Sequence, residues 1–122
     1  MTRNNRIRTA LAALAVSVTA FAGIASAATP TKVTIQAESG GFHGYVKSSK
    51  ASCVAERTVV LYEQLGSFQN PSSDQRILTD TTDEDGSWDT GNPGLRDGRF
   101  YARAKRSPGC KPASSRTIPA QP

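Results

Sequence analysis

The chain has almost none of the residues from which active sites and metal centres are built. It holds one histidine, His43, and two cysteines, Cys53 and Cys110. One imidazole and two distant thiols cannot complete a tetrahedral zinc site, and no C-x-x-C spacing marks a redox pair. A general base needs a group that orients it and a nucleophile or water that it serves. No G-x-S-x-G, H-E-x-x-H or spaced acid pair accompanies His43. A helical hydrophobic period is also missing after residue 28, which excludes helix bundles and alternating α/β layers. No internal repeat is visible.

The one long apolar run lies at the start. Arg3, Arg6 and Arg8 precede a stretch of mostly Ala, Leu and Val over 10–25, and Ala25-Ser26-Ala27 follows with the small residues that signal peptidase reads. The run is short for a membrane span and ends in a cleavage pattern rather than a basic flank. Residues 1–27 therefore read as an export signal, and 28–122 as one secreted domain with no membrane anchor after cleavage. Three of the 15 basic residues leave with the signal, so 12 face the 10 acidic residues and the net charge falls from +5 to +2. That excess is ordinary solubility, and no nucleic-acid partner is expected.

A domain this small is marginal on its core alone. Export takes Cys53 and Cys110 to an oxidising compartment, where a bridge between them is expected and contributes roughly 4 kcal/mol in the chain-entropy model.

What is present is β pattern. Over 99–105, Phe100, Ala102 and Ala104 share one parity, and Arg99, Tyr101, Arg103 and Lys105 the other. Side chains alternate faces on a strand, so one face is apolar and the other basic. Upstream, Asp85-Gly86 supplies a turn between Ile77/Thr79 and Trp88/Thr90, which reads as a hairpin. Further strands are expected over 32–37 and 42–47, joined by Ser39-Gly40-Gly41, and over 57–64 and 115–118. The 57–64 strand is apolar on both faces, with Val59 and Leu61 on one and Val60 and Tyr62 on the other. It should lie centrally, its outer face covered or held open for a partner. Residues 66–74, rich in Gly, Ser, Asn and Pro, read as a mobile loop. The whole is an all-β, seven-stranded antiparallel sandwich.

Four groups of residues, Gly44-x-Val46, Arg57-x-Val59-x-Leu61, Thr82-Asp83-Glu84-Asp85-Gly86-x-Trp88 and Leu95-x-x-Gly98-x-Phe100-x-Ala102, carry a resemblance. The chain resembles the carboxypeptidase regulatory-like and transthyretin-like β-sandwich domains, of Ig-like form, in the small exported type common in actinobacteria. The resemblance implies a fold and is nearly silent on activity. The hydrolase of the transthyretin-like group relies on several histidines and a C-terminal motif, and this chain has neither.

Three sites can be weighed on residues alone. The row Arg99, Tyr101, Arg103 and Lys105, extended by Val60 and Tyr62 if their strands are neighbours, would form a face for a protein or an anionic envelope polymer. Asp83, Asp85 and Asp89, with Asp80, gather around the turn as weak calcium ligands, but the EF-hand register places Thr81 first and Asn92 twelfth, where acids belong. His43 is the only candidate for hydrolysis. The expectation is a secreted, non-enzymatic binding module without cofactor; a small hydrolase and a calcium-stabilised domain are the alternatives.

Overall fold

Nine strand segments form in the computed structural model, which describes residues 27–122. They are β1 (Lys32–Val33), β2 (Gln36–Glu38), β3 (Gly41–Lys47), β4 (Thr58–Glu63), β5 (Gln75–Thr81), β6 (Ser87–Asp89), β7 (Arg99–Ala104), β8 (Ala113–Ser114) and β9 (Ile118–Pro119). One sheet is centred on β3, with β1 and β2 along one side and β6 along the other; the second runs β5-β4-β7-β8, with β9 also on β7. Every pairing between these strands is antiparallel. The protein is an all-β sandwich. Apart from its last residue, the expected export signal lies outside the described residues.

Two strand paths are broken, which is why nine segments appear where seven strands are expected. β1 and β2 keep one register on β3, with Val33 opposite Val46 and Gln36 opposite His43. Between them the Thr34 hydroxyl accepts the Tyr45 N–H at 2.9 Å, taking the place of a ladder carbonyl. The other break corrects the strand expected over 115–118. The Ser115 hydroxyl accepts the Ala102 N–H at 2.9 Å and donates to the Arg116 carbonyl, so residues 115–117 interrupt the ladder between β8 and β9.

Turn chemistry explains the connections. Ser39 and Gly40 have φ of 49° and 80°, the doubly positive pair of a type I′ hairpin joining β2 to β3. The hairpin expected across 83–86 is instead a corner. β5 pairs with β4 and β6 pairs with β3, so the turn carries the chain from one sheet to the other. Gly86 lies against β3: its carbonyl accepts the Val46 N–H at 2.8 Å, and a Cβ there would sit 2.3 Å from the Val46 oxygen. Asp-Gly sets the local bend, but the third strand against the bend decides which sheet receives the chain.

Between the sheets lies the expected core. Val33, Ile35, Phe42, Val46 and Trp88 from one sheet meet Val59, Leu61, Phe100, Ala102, Ala104 and Ile118 from the other. Phe42 and Phe100 cross the interface with centroids 5.0 Å apart. The β7 parity is as the sequence requires, with Phe100, Ala102 and Ala104 all inward.

At one end of the sandwich sits a charge inside the protein. Arg57 is 1% exposed and has no carboxylate partner among the described residues. Its Nη1 donates to the Cys53 carbonyl at 2.8 Å and the Thr31 hydroxyl at 3.0 Å; its Nη2 donates to the Lys105 carbonyl at 2.8 Å and the Lys111 carbonyl at 3.1 Å. Burial lowers its pKa, yet guanidinium starts so high that it stays charged. The expected Cys53–Cys110 disulfide is present beside it, with Cα atoms 5.5 Å apart. Arg57 thus binds the carbonyl of one half-cystine and that of the residue following the other. Arg57→Met should lower stability by roughly 3 kcal/mol, because the buried Cys53 carbonyl and three partly buried acceptors lose charge-assisted donors. Arg96→Met, at an exposed position, should change it by less than about 0.5 kcal/mol. Urea unfolding of the oxidised proteins checks this, and equal midpoints would contradict the assigned role.

Candidate functional site

The outer face of the β5-β4-β7 sheet is defined by register. Val60 is opposite Arg103 and Thr79, and Tyr62 is opposite Tyr101 and Arg76. The neighbourhood expected for Val60, Tyr62, Arg99, Tyr101 and Arg103 is therefore real, with Lys105 following β7. The expected exposure is not. Val60 and Tyr101 are 0% exposed and Tyr62 is 8% exposed, and the three form a second, smaller core. The two rings stack with centroids 5.3 Å apart.

Residues 64–74 cover them. This segment is tied down at several points, which corrects the reading of it as a mobile loop. Asp74 is its anchor. Its Oδ2 accepts the Tyr101 hydroxyl at 2.5 Å and the Asn70 N–H at 2.7 Å, while its Oδ1 accepts the Leu65 N–H at 3.0 Å. Gln69 Nε2 donates to the Ser115 carbonyl at 2.7 Å and the Thr117 hydroxyl at 2.9 Å, so the cover is also fastened to the break between β8 and β9. Arg99 Nη2 donates to the Gly66 carbonyl at 2.8 Å. The outer apolar face of β4 is thus covered by the chain itself.

What remains at the surface is cationic. Arg76, Arg99 and Lys105 are exposed, and Arg103 is half-buried with Nη1 on the Ser114 hydroxyl at 2.9 Å. No outward position of β5, β4 or β7 is acidic, and the cover contains one acid, Asp74, which is buried and fully engaged. Among the described residues the only ion pair joins Glu38 and His43, so none of these four cations has a carboxylate within pairing distance. Two large apolar side chains stand out beside them, Leu65 at 60% and Phe68 at 79% exposed. Arg76, Leu65, Phe68 and Asp74 were not singled out by sequence pattern. The available signal was two bulky apolar residues inside a Gly/Ser/Asn/Pro stretch, where solvated loops seldom carry them.

The other two expected sites lie elsewhere. His43 projects from the outer face of the β3 sheet, its Nε2 3.4 Å from Glu38 Oε1. It borders a cleft of about 710 Å³ whose walls carry Lys32 and Arg116 but no carboxylate, and a smaller one of about 230 Å³ that it shares with Asp80, Asp83 and Asp89. The carboxylates of the acidic corner serve their own turn. Asp85 Oδ1 accepts the Ser87 hydroxyl and N–H at 2.8 and 3.0 Å, and these bonds hold its pKa below the usual carboxylate range. Asp83 Oδ2 lies 3.3 Å from the same Ser87 oxygen, Asp89 accepts the Gly91 N–H, and Asp80 accepts the Asp89 N–H. Among the described residues no three metal-ligating side chains converge. No protein-family model, curated protein or solved structure matches the chain.

The Asp74–Tyr101 contact controls both ends of the pH range. Burial alone would raise the Asp74 carboxyl, but the Tyr101 hydroxyl and the Asn70 and Leu65 N–H groups outweigh it and hold the pKa down. Burial, then the Asp74 carboxylate, pushes Tyr101 well above the ordinary phenol range. A depressed carboxyl contributes stability above its unfolded value, about 4, and loses it as pH falls. A raised phenol contributes stability below its unfolded value, about 10, and loses it as pH rises past that. A tyrosinate absorbance titration should therefore show a component at unusually high pH that Tyr101→Phe removes. Asp74→Asn should lower the Tm at neutral pH and flatten the acid limb of the stability profile. A Tyr101→Phe titration that keeps the late component would refute the assignment.

Proposed function

We propose that this is a secreted, non-enzymatic module that binds an anionic component of the cell envelope through the outer face of the β5-β4-β7 sheet. The observation that carries the reading is the set of four cations, Arg76, Arg99, Arg103 and Lys105, with no acid partner among the described residues, on strands whose outward positions hold no acid. Unpaired cations on a rigid sheet keep their Coulomb attraction for a ligand instead of spending it internally. Arginine suits phosphate and carboxylate because its planar fork can take two oxygens at once. The aromatic pair acts from below, as the packed base that holds the strands in register. This changes the role expected of Tyr62 and Tyr101 from contact to support. The Cys53–Cys110 bond is compatible with an extracellular location. The export pattern over 1–27 and the resemblance to carboxypeptidase regulatory-like and transthyretin-like domains support the same placement.

Arg76 and Lys105 make no side-chain hydrogen bond among the described residues, so both can be reversed without disturbing the cover. Arg76→Glu with Lys105→Glu should abolish most retention on immobilised polyphosphate, and wild-type retention should fall steeply with added salt. A control with the same change in net charge, Lys32→Glu with Lys47→Glu on the β3 sheet, should keep most of it. Equal losses in the two doubles would show that net charge, not this face, governs binding.

A further inference from the structure

We infer that the anionic partner is the surface of a phospholipid bilayer, and that Leu65 and Phe68 enter its interfacial layer while the neighbouring arginines meet headgroup phosphates. This rests on the cationic face argued above and names its ligand.

The first observation is the exposure of two large apolar side chains, 60% for Leu65 and 79% for Phe68, on a segment that is held in place. A slack loop could fold such side chains back onto the sheet. Here that route is closed. The sheet beneath is already filled by Tyr62 and Tyr101, and Asp74 and Gln69 fix both flanks of the tip through the Leu65 and Asn70 N–H groups and the 115–117 break. Leu65 and Phe68 are therefore presented to solvent by the structure that surrounds them.

The second observation is the charge around the tip. The Arg99 guanidinium holds the carbonyl of Gly66, between the two apolar residues, at 2.8 Å. Arg76 stands two residues past the Asp74 anchor, opposite Tyr62. Neither has a carboxylate partner among the described residues. Apolar side chains with two arginines nearby that lack an acid partner among the described residues complement a surface that is anionic at its headgroups and apolar just below.

The third consideration is shape and area. Leu65 and Phe68 stand exposed on a segment fastened to the sheet. Two side chains are a small part of the roughly 800 Å² per partner that a stable protein interface buries. A bilayer needs no matching pocket, because lipids rearrange around what enters, and its charge supplies the remaining attraction.

The test is co-sedimentation of the 28–122 protein with phosphatidylcholine vesicles, with and without phosphatidylglycerol, alongside polyphosphate binding. The wild-type protein should bind only the phosphatidylglycerol vesicles. Leu65→Ser with Phe68→Ser should weaken vesicle binding by at least roughly tenfold, given the apolar area withdrawn, while leaving the melting temperature and polyphosphate binding unchanged. Phe68→Trp should show a blue-shifted indole emission, quenched by brominated lipid, on those vesicles alone. Vesicle binding unaffected by the double serine change overturns the insertion. Binding to polyphosphate without binding to either vesicle overturns the lipid assignment and leaves the cationic-face reading standing. Failure to bind vesicles and polyphosphate alike removes both.

Discussion

A guanidinium without an acid holds this sandwich shut. Arg57 sits where the N-terminal segment, the 3-10 turn at Cys53, the end of β7 and the segment after Cys110 converge, and it donates to an acceptor in each. Carbonyls rather than a carboxylate are the partners, so the charge is solvated by backbone dipoles instead of being neutralised. The Cys53 carbonyl is buried and would otherwise lack a donor, which is costly. The disulfide shortens the unfolded chain's freedom across the same junction. The covalent link brings the two segments to one place, and the guanidinium fixes how they are oriented there.

That junction reaches the candidate site through register. Arg57 precedes β4 and grips the carbonyl of Lys105, just past β7, while the Lys105 N–H donates to Thr58 at 2.9 Å. With β4 and β7 fixed to each other, Tyr62 must oppose Tyr101. The phenol then points to Asp74, and Asp74 shapes the 64–74 cover. The exposed tip and the arginines beside it are the last step of that sequence. A slip of one residue between β4 and β7 would turn every side chain to the wrong face.

Much of this was legible in the residues. Alternation gave β7 both faces, Ser39-Gly40 its hairpin and two cysteines their bond, since each depends on local geometry or on counting. Three things were not legible. The Asp85-Gly86 bend looks the same whether its strands pair or part, because β3 decides the matter from outside. Ser115 looks like a strand residue until its hydroxyl takes the Ala102 N–H. The row Arg99, Tyr101, Arg103 looks solvated because alternation assigns a face without saying whether that face is covered. Only the Tyr101 hydroxyl meeting an acid 27 residues earlier settles it. A two-sided apolar strand was the correct signal. It called for a cover, and the cover came from the chain's own loop.

Net charge conceals the most consequential feature. Half of the acids in the chain, Asp80, Asp83, Glu84, Asp85 and Asp89, lie at or beside the corner between β5 and β6. Three of these five, Asp80, Asp85 and Asp89, accept backbone N–H groups of the corner itself. On the other sheet Arg99 and Arg103 each give one nitrogen to a neutral acceptor, and Arg76 and Lys105 make no side-chain hydrogen bond among the described residues. A ligand approaching within a Debye length, about 8 Å at physiological salt, responds to the face in front of it more than to the whole molecule's sum. Near balance overall is therefore consistent with a strongly cationic surface. The separation exists because the acids gather at a corner whose backbone N–H and hydroxyl groups they accept, whereas the cations of the other sheet meet only neutral acceptors or solvent.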